Sequence, residues 1–165
     1  SKNEMISNIK GVLTPRLETK GFIVRKAIPK NGEGSGIIIE NEDIGNKKKI
    51  MIKKSKDYSK QYNLDDEFKF SGWFTSSESE LNEYHGYIFA VYKDSVPTYF
   101  IFDREDMKII LNYKTVDAKG KYHFYLAEDK SGQYFDHRDG GLLLTENVES
   151  WEKIERIIEN SDIQR

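Results

Sequence analysis

Apolar residues near the start of the chain recur every three or four positions, and short apolar runs follow them. Ser1 and Glu4 have the spacing of a capping box, so this pattern predicts a helix that begins at once. Pro15 is expected either to break the helix or to open a second short turn. Runs rich in β-branched and aromatic residues then predict three strands, over residues 22–27, 36–40 and 48–54.

The rest of the chain alternates between apolar runs of strand length and amphipathic stretches. Asp103 is expected to cap one helix, and a second amphipathic helix is predicted to close the chain at 148–158. The strand at 68–74 is expected to end at a glycine bulge. Further strands are predicted at 86–92, 97–102, 122–127 and 142–144. This order predicts an α/β (α+β) fold, with a mixed β-sheet flanked by helices.

Length and composition limit the classes of protein to consider. The chain has 165 residues, of which 37% are hydrophobic, and this size favours a single domain over residues 1–165. No apolar run approaches the roughly 20 residues that a membrane span needs. No export signal is recognised, and no cysteine is available for a disulfide or a thiolate metal site. We therefore expect a soluble, cytoplasmic protein that does not associate with a membrane.

Charge is distributed unevenly although the net charge is only −2. Seven lysines and a single acid, Asp57, lie between residues 47 and 60. Such a block can contact the phosphates of DNA or RNA, and tyrosines between the lysines could stack on bases. The alternative is a set of solvated lysines that protect an edge strand from aggregation. The candidate nucleic-acid-binding residues are Lys48, Lys49, Lys54, Lys56, Lys60 and Tyr58.

The first predicted helix has an early glutamate, Glu4. Three strands follow it, and the third ends in Lys53, which Ser55 follows closely. This arrangement resembles the core of the PD-(D/E)XK nuclease superfamily over residues 4–55. The resemblance implies a restriction-endonuclease-like core. It also implies two acids that hold a divalent metal and a lysine that positions or activates the attacking water. Lys53 matches that lysine.

The resemblance is incomplete at the acids. Gly36, or Ser35 beside it, stands where the family has its first acid, and Met51 stands where it has its second. A shifted register would place Glu40 in the first acid's role, with Glu4 as a second. Lys53, Glu40 and Glu4 are thus candidate catalytic residues, with Glu40 the candidate metal ligand. The resemblance implies a nuclease-like protein that is degenerate at its metal site, or a Mg²⁺-dependent nuclease if it is an enzyme; no other cofactor is implied.

A second group of reactive side chains lies between residues 134 and 141. His137 could serve as a general base there, beside Arg138 and two carboxylates, and is a further catalytic candidate. The alternative is an ordinary turn in which Asp136 and Arg138 form a surface ion pair. Another histidine, His123, lies in an aromatic strand and is expected to be packed rather than to bind a ligand.

Two functions from different classes follow from these observations. The first is a nucleic-acid-associated protein with a nuclease-like fold, acting on or near DNA or RNA. The second is a small protein-binding module, such as an inhibitor or immunity-type partner, which would bind another protein through Trp73 and the tyrosine-rich surface. Salt dependence distinguishes them, because contacts with phosphates weaken steeply as salt is added.

Overall fold

A computed structural model describes residues 1–160 of the chain. It contains α-helices together with β-strands, and the strands form two sheets. The helices are α1 (Lys2–Glu18), α2 (Glu78–Leu81), α3 (Arg104–Asn112) and α4 (Glu152–Glu159). The strands are β1 (Ile23–Lys26), β2 (Ile37–Asn41), β3 (Asn46–Lys56), β4 (Phe68–Ser77), β5 (Gly86–Lys93), β6 (Val96–Asp103), β7 (Lys121–Asp129), β8 (Tyr134–Asp136) and β9 (Leu142–Leu143).

The first sheet is mixed and has the strand order β1-β2-β3-β5-β6. Strands β1, β2 and β3 form an antiparallel meander, β3 and β5 pair in parallel, and β5 and β6 form a hairpin. The second sheet is antiparallel and has the order β4-β7-β8-β9. The predicted α+β class and the mixed sheet are confirmed, whereas the sequence pattern did not separate the second sheet from the first.

The first sheet separates two apolar cores, because side chains alternate between its faces. One face packs against α1 and α4, and includes Ile37, Ile50 and Ile88 from three neighbouring strands. The opposite face, which carries Met51 and Phe89, packs against the second sheet and α3. The resulting layers are helices, first sheet and second sheet, and they place the carboxyl-terminal half of β3 beside β4.

Strand β4 lies against the first sheet at a close approach. A Cβ at Gly72 would overlap the side chain of Val91 on β5, so glycine allows the two backbones to pack closely there. The predicted glycine bulge is wrong, because the register of β4 shifts between Phe68 and Phe70 and the strand continues through Gly72 to Ser77. Ser77 caps α2, and its hydroxyl accepts a hydrogen bond from the Glu80 N–H.

Both alternatives considered for Pro15 are wrong, since α1 continues through it to Glu18. A proline inside a helix costs one backbone hydrogen bond, here the bond to the Gly11 carbonyl. Leu13 and Leu17 are fully buried on either side of Pro15, and their packing holds the helix together. Within residues 1–160, no helix has the length and apolar character needed to cross a membrane.

Candidate nucleic-acid interface

The register of β2 and β3 places the positions that the resemblance singled out. Ile37 is paired with Ile50, so Gly36 lies next to Met51 at the end of the ladder. Gly36 has a φ of 119°, which L side chains rarely adopt, and a Cβ there would overlap the carbonyl oxygen of Ile50. Met51 is buried in the core between the sheets. Neither position has space for a carboxylate that faces solvent.

Glu40 and Lys53 are not brought together. Glu40 is paired with Lys47 across the ladder, and six residues along β3 separate Lys47 from Lys53, or about 20 Å. The Glu40 carboxylate instead binds Arg25, with 2.8 Å between Oε1 and Nε. Arg25 also makes two bonds to Glu33, and these bonds hold the pKa of the Glu33 carboxyl well below its usual range. This end of the sheet is a structural ion-pair network.

Glu4 lies in the first turn of α1, where its carboxylate accepts a hydrogen bond from the amino group of Ser1 and the Ser1 hydroxyl accepts one from the Glu4 N–H. Its role there is the predicted capping box. Lys53 forms an ion pair with Glu80, with 3.4 Å between Nζ and Oε1. Within residues 1–160, no three acids, histidines or cysteines cluster as metal ligands would. The residues present therefore do not fit the divalent metal that the family resemblance implies.

Replacing Gly36 by alanine should lower the free energy of unfolding by about 3 kcal/mol or more, because a strained φ is combined with overlap against backbone. Gly11→Ala is the matched control. Gly11 lies in α1 with open space around its Cα, so this change should raise stability by about 0.5–1 kcal/mol. Urea unfolding of both variants measures the difference, and a Gly36→Ala variant as stable as the wild type would contradict the described backbone.

Some of the lysines do lie close together, at the part of β3 that extends beyond the end of β2. Lys53 and Lys54 line a cavity of about 320 Å³ together with Lys2 of α1 and with Trp73, Phe74 and Thr75 of β4. Strand β4 is held there because the backbone N–H of Trp73 donates a 2.9 Å hydrogen bond to the Ser55 hydroxyl. Three cationic side chains thus surround one concave site beside an indole ring. Anionic groups are attracted to such a site.

The other predicted lysines occupy different surroundings. Lys48 is only 2% exposed, on the face of β3 that packs against the helices, so it is not placed to contact a phosphate. The Lys49 ammonium lies over the Tyr84 ring at 5.2 Å, near the other end of the strand. Lys56 lies over the Tyr58 ring at 4.9 Å and is exposed, as is Lys60. Lys54, Lys56, Lys60 and Tyr58 therefore remain accessible near the β3 edge, whereas Lys48 and Lys49 do not belong to it.

Trp73 projects from the outer face of the second sheet, where a chain of hydrogen bonds orients it. Its indole Nε1–H donates to His123 Nδ1 at 3.0 Å, and His123 Nε2 lies 2.8 Å from the Asp117 carboxylate. Because an indole N–H can only donate, Nδ1 is the acceptor and the imidazole proton is on Nε2. The bond from His123, with those from the backbone of Lys121 and Lys119, lowers the pKa of Asp117 to about 2. His123 is partly buried, in agreement with the prediction of a packed side chain.

His137 lies on the same outer face, in a separate cavity of about 420 Å³ that is also lined by Phe68 and Lys130. Its ring stacks on Phe68 with 4.5 Å between centroids, and its Nε2 is 2.8 Å from the Ser71 hydroxyl. Burial, and secondarily Lys114, lower the pKa of His137. The neutral imidazole could accept a proton from Ser71, but that hydroxyl is buried. The pair therefore fixes the turn after β8 against β4.

Asp136 is not a surface residue, so the alternative of a surface ion pair with Arg138 is wrong. Its carboxylate lies 2.6 Å from the Lys114 ammonium, and both side chains are 2% exposed. Its other oxygen accepts hydrogen bonds from the N–H groups of Tyr125 and Arg138. Burial raises the pKa of Asp136, while Lys114 and these two bonds oppose the shift.

Two residues of the interface were not singled out as nucleic-acid-binding residues by the sequence pattern. No sequence signal marks Lys2 as a site residue, because its position near Lys53 depends on how α1 crosses the sheet. Trp73 could have been placed, since Phe70 and Phe74 face the core and a residue next to Phe74 must then face outward. Lys114, the buried partner of Asp136 outside the interface, follows α3 without any periodic pattern, so no sequence signal marks it either.

Comparisons of the chain with protein-family models, with curated proteins and with solved structures gave no match.

Proposed function

We propose that this chain is a nucleic-acid-associated protein with a nuclease-like core, in which a basic surface replaces the metal centre. The observation that carries the proposal is the meeting of Lys2, Lys53 and Lys54 around one cavity beside Trp73. Three ammonium groups at a concave site attract a phosphate backbone, and each contact adds salt-dependent affinity. The net charge of −2 is compatible with this function because the positive charge is local.

The nuclease-like part of the proposal is supported by the arrangement around β3. Strands β2 and β3 lie side by side, and α1 packs over them through Met5 and Ile9, as the resemblance implies. Lys53 keeps the position of the family's lysine, while Gly36 and Met51 leave no place for the two acids. We therefore propose that the core retains nucleic-acid binding and has lost the ability to hydrolyse the strand.

A labelled oligonucleotide titrated with the protein, with Mg²⁺ present, tests the proposal. We expect binding at low salt that weakens steeply as salt rises, and we expect the bound strand to stay intact. Metal-dependent cleavage that disappears in a Glu40→Ala variant would overturn the claim of a degenerate site. No measurable binding at low salt would reject the nucleic-acid function.

Replacing Lys54 and Lys56 together by alanine should weaken binding for all sequences. The plot of log affinity against log salt should also become flatter, by about 0.7–0.9 per lysine that contacts phosphate. Both residues are exposed at the edge of β3, so the fold should be retained. Lys30→Ala combined with Lys108→Ala is the matched control, because it removes the same charge from exposed positions on other elements. Equal effects of the two double variants would show that binding reflects overall charge.

The second candidate, a protein-binding module, is favoured by one observation. Trp73 is 42% exposed and Tyr62 is 56% exposed, and large exposed aromatic side chains are enriched at protein interfaces. A stable protein complex that is largely insensitive to salt, together with no binding of nucleic acid, would support this candidate instead.

A further inference from the structure

Aromatic rings form a continuous row on the outer surface of the second sheet, in which Tyr62 and Trp73 are exposed and Tyr58 and His123 are partly buried. Tyr62 and Tyr58 have 6.0 Å between ring centroids, Tyr58 meets Trp73 edge-on at 5.9 Å, and Trp73 stacks on His123 at 5.9 Å. We call Tyr62, Tyr58, Trp73 and His123 the aromatic row. Its members come from three elements, namely the segment between β3 and β4, then β4 itself, then β7.

The row is held in place by polar contacts rather than by burial. Asp57 accepts hydrogen bonds from the N–H groups of Ser59 and Ser71, and the Tyr58 N–H donates to the Ser71 carbonyl at 2.8 Å. These bonds attach the segment after β3 to β4. At the other end, His123 orients the Trp73 indole. A row fixed in this way loses little conformational entropy when a planar ligand stacks on it.

The lysines of the β3 edge run beside the row. The Lys56 ammonium lies over Tyr58, and the cavity that contains Lys53 and Lys54 has Trp73 in its wall. The acids near the row already have partners. Asp57 accepts three hydrogen bonds from Ser59 and Ser71, and Asp117 is bound to His123 and to two backbone N–H groups. The surface therefore combines ring faces with neighbouring lysines, of which Lys54 and Lys56 are exposed and Lys53 is paired with Glu80.

We propose that the aromatic row binds the bases of single-stranded nucleic acid while the adjacent lysines follow its phosphates. This inference rests on the proposed function and names its substrate class. Bases of a duplex are stacked inside the helix and cannot reach a row of rings, whereas unpaired bases can stack on every exposed ring in turn. Stacking of this kind tolerates any sequence, because each base has a π-face.

The test uses fluorescein-labelled oligo(dT) and a labelled hairpin duplex of equal nucleotide number, titrated with the full chain. Trp73→Ala should weaken oligo(dT) binding by about 5- to 150-fold, the range expected for loss of one base–aromatic stack. Trp73→Phe should restore most of the affinity, although it lacks the N–H that binds His123. The salt dependence should stay unchanged in both variants, because no phosphate contact is removed.

Two controls make the outcome specific. Tyr113→Ala removes a ring that is comparably exposed at the end of α3 and does not belong to the row, and should leave binding unchanged. Tyr58→Ala removes a second ring of the row, and should also weaken oligo(dT) binding if Trp73→Ala does not fold. Intrinsic fluorescence offers a direct readout, since oligo(dT) should quench the wild type but not Trp73→Phe.

The possible results separate the two proposals. Equal, salt-dependent affinity for oligo(dT) and duplex, unaffected by loss of Trp73 or Tyr58, would overturn the aromatic row as a base-binding site and leave the proposed function standing. Binding of neither probe at low salt would overturn both. Preference for oligo(dT) that is lost with Trp73 and kept in Tyr113→Ala would support both.

Discussion

Replacing Trp151 by alanine should lower the free energy of unfolding by about 3–5 kcal/mol. Trp151 is 6% exposed, immediately before α4, and its ring meets Tyr99 of β6 edge-on with 5.2 Å between centroids. Its indole N–H also donates to Glu149. The change would leave a cavity between α4 and the first sheet, and urea unfolding monitored by far-UV circular dichroism measures the loss.

Trp73→Ala provides a matched control, because the chain has two tryptophans. Trp73 is 42% exposed, so its removal takes away a hydrogen bond and ring contacts but opens no cavity, and a loss of about 1 kcal/mol is expected. A loss below about 1 kcal/mol for Trp151→Ala would show that α4 is not docked on the sheet as described.

Local signals explain why most elements could be predicted from the sequence. Ser1 and Asp103 each form a capping box with the residue three positions later, and both helices begin at the caps that the sequence predicted. The hairpin of β5 and β6 follows from two apolar runs joined by a short polar turn. These signals act over a few residues, so a single sequence contains them in full.

Pairing over long separations could not be predicted in the same way. Strand β3 pairs in parallel with β5, while β4, which lies between them in the chain, joins β7 in the other sheet. The alternation of apolar and polar residues along β4 does not indicate which sheet the strand joins, because its apolar face could pack against the core from either sheet. The Pro15 prediction failed for a related reason, since tertiary packing of α1 outweighed the local penalty.

The candidate interface was predictable only in part, because it depends on these long-range pairings. The lysine run marked β3 as basic, but alternation along the strand and the end of β2 decide which lysines are accessible. Lys48 faces the helices, whereas Lys53 and Lys54 lie at the free edge. The same edge receives Trp73 because the Ser55 hydroxyl and the Asp57 carboxylate bind β4. The basic surface and the aromatic row thus adjoin through contacts that no local pattern encodes.

Breaking the buried pair of Lys114 and Asp136 should have a similarly large effect on stability. Both side chains are 2% exposed, and Nζ and Oδ2 lie 2.6 Å apart. Lys114→Met should lower the free energy of unfolding by about 3–5 kcal/mol, because it leaves a buried carboxylate without its cation. The pair joins the segment after α3 to β8, so the loss should also loosen the turn that carries His137.

Adding Asp136→Asn to Lys114→Met should recover part of this loss. The amide oxygen of asparagine can still accept hydrogen bonds from the Tyr125 and Arg138 N–H groups, while the unpaired charge is gone.

In Lys114→Met alone, removing the cation lets burial raise the pKa of Asp136 further, so the native state binds a proton that the unfolded state releases above about pH 4. The stability of that variant should fall as pH rises from 4 to 7, and the double variant should lack this fall. Strictly additive losses in urea unfolding, with no difference in pH dependence, would show that the two side chains do not interact.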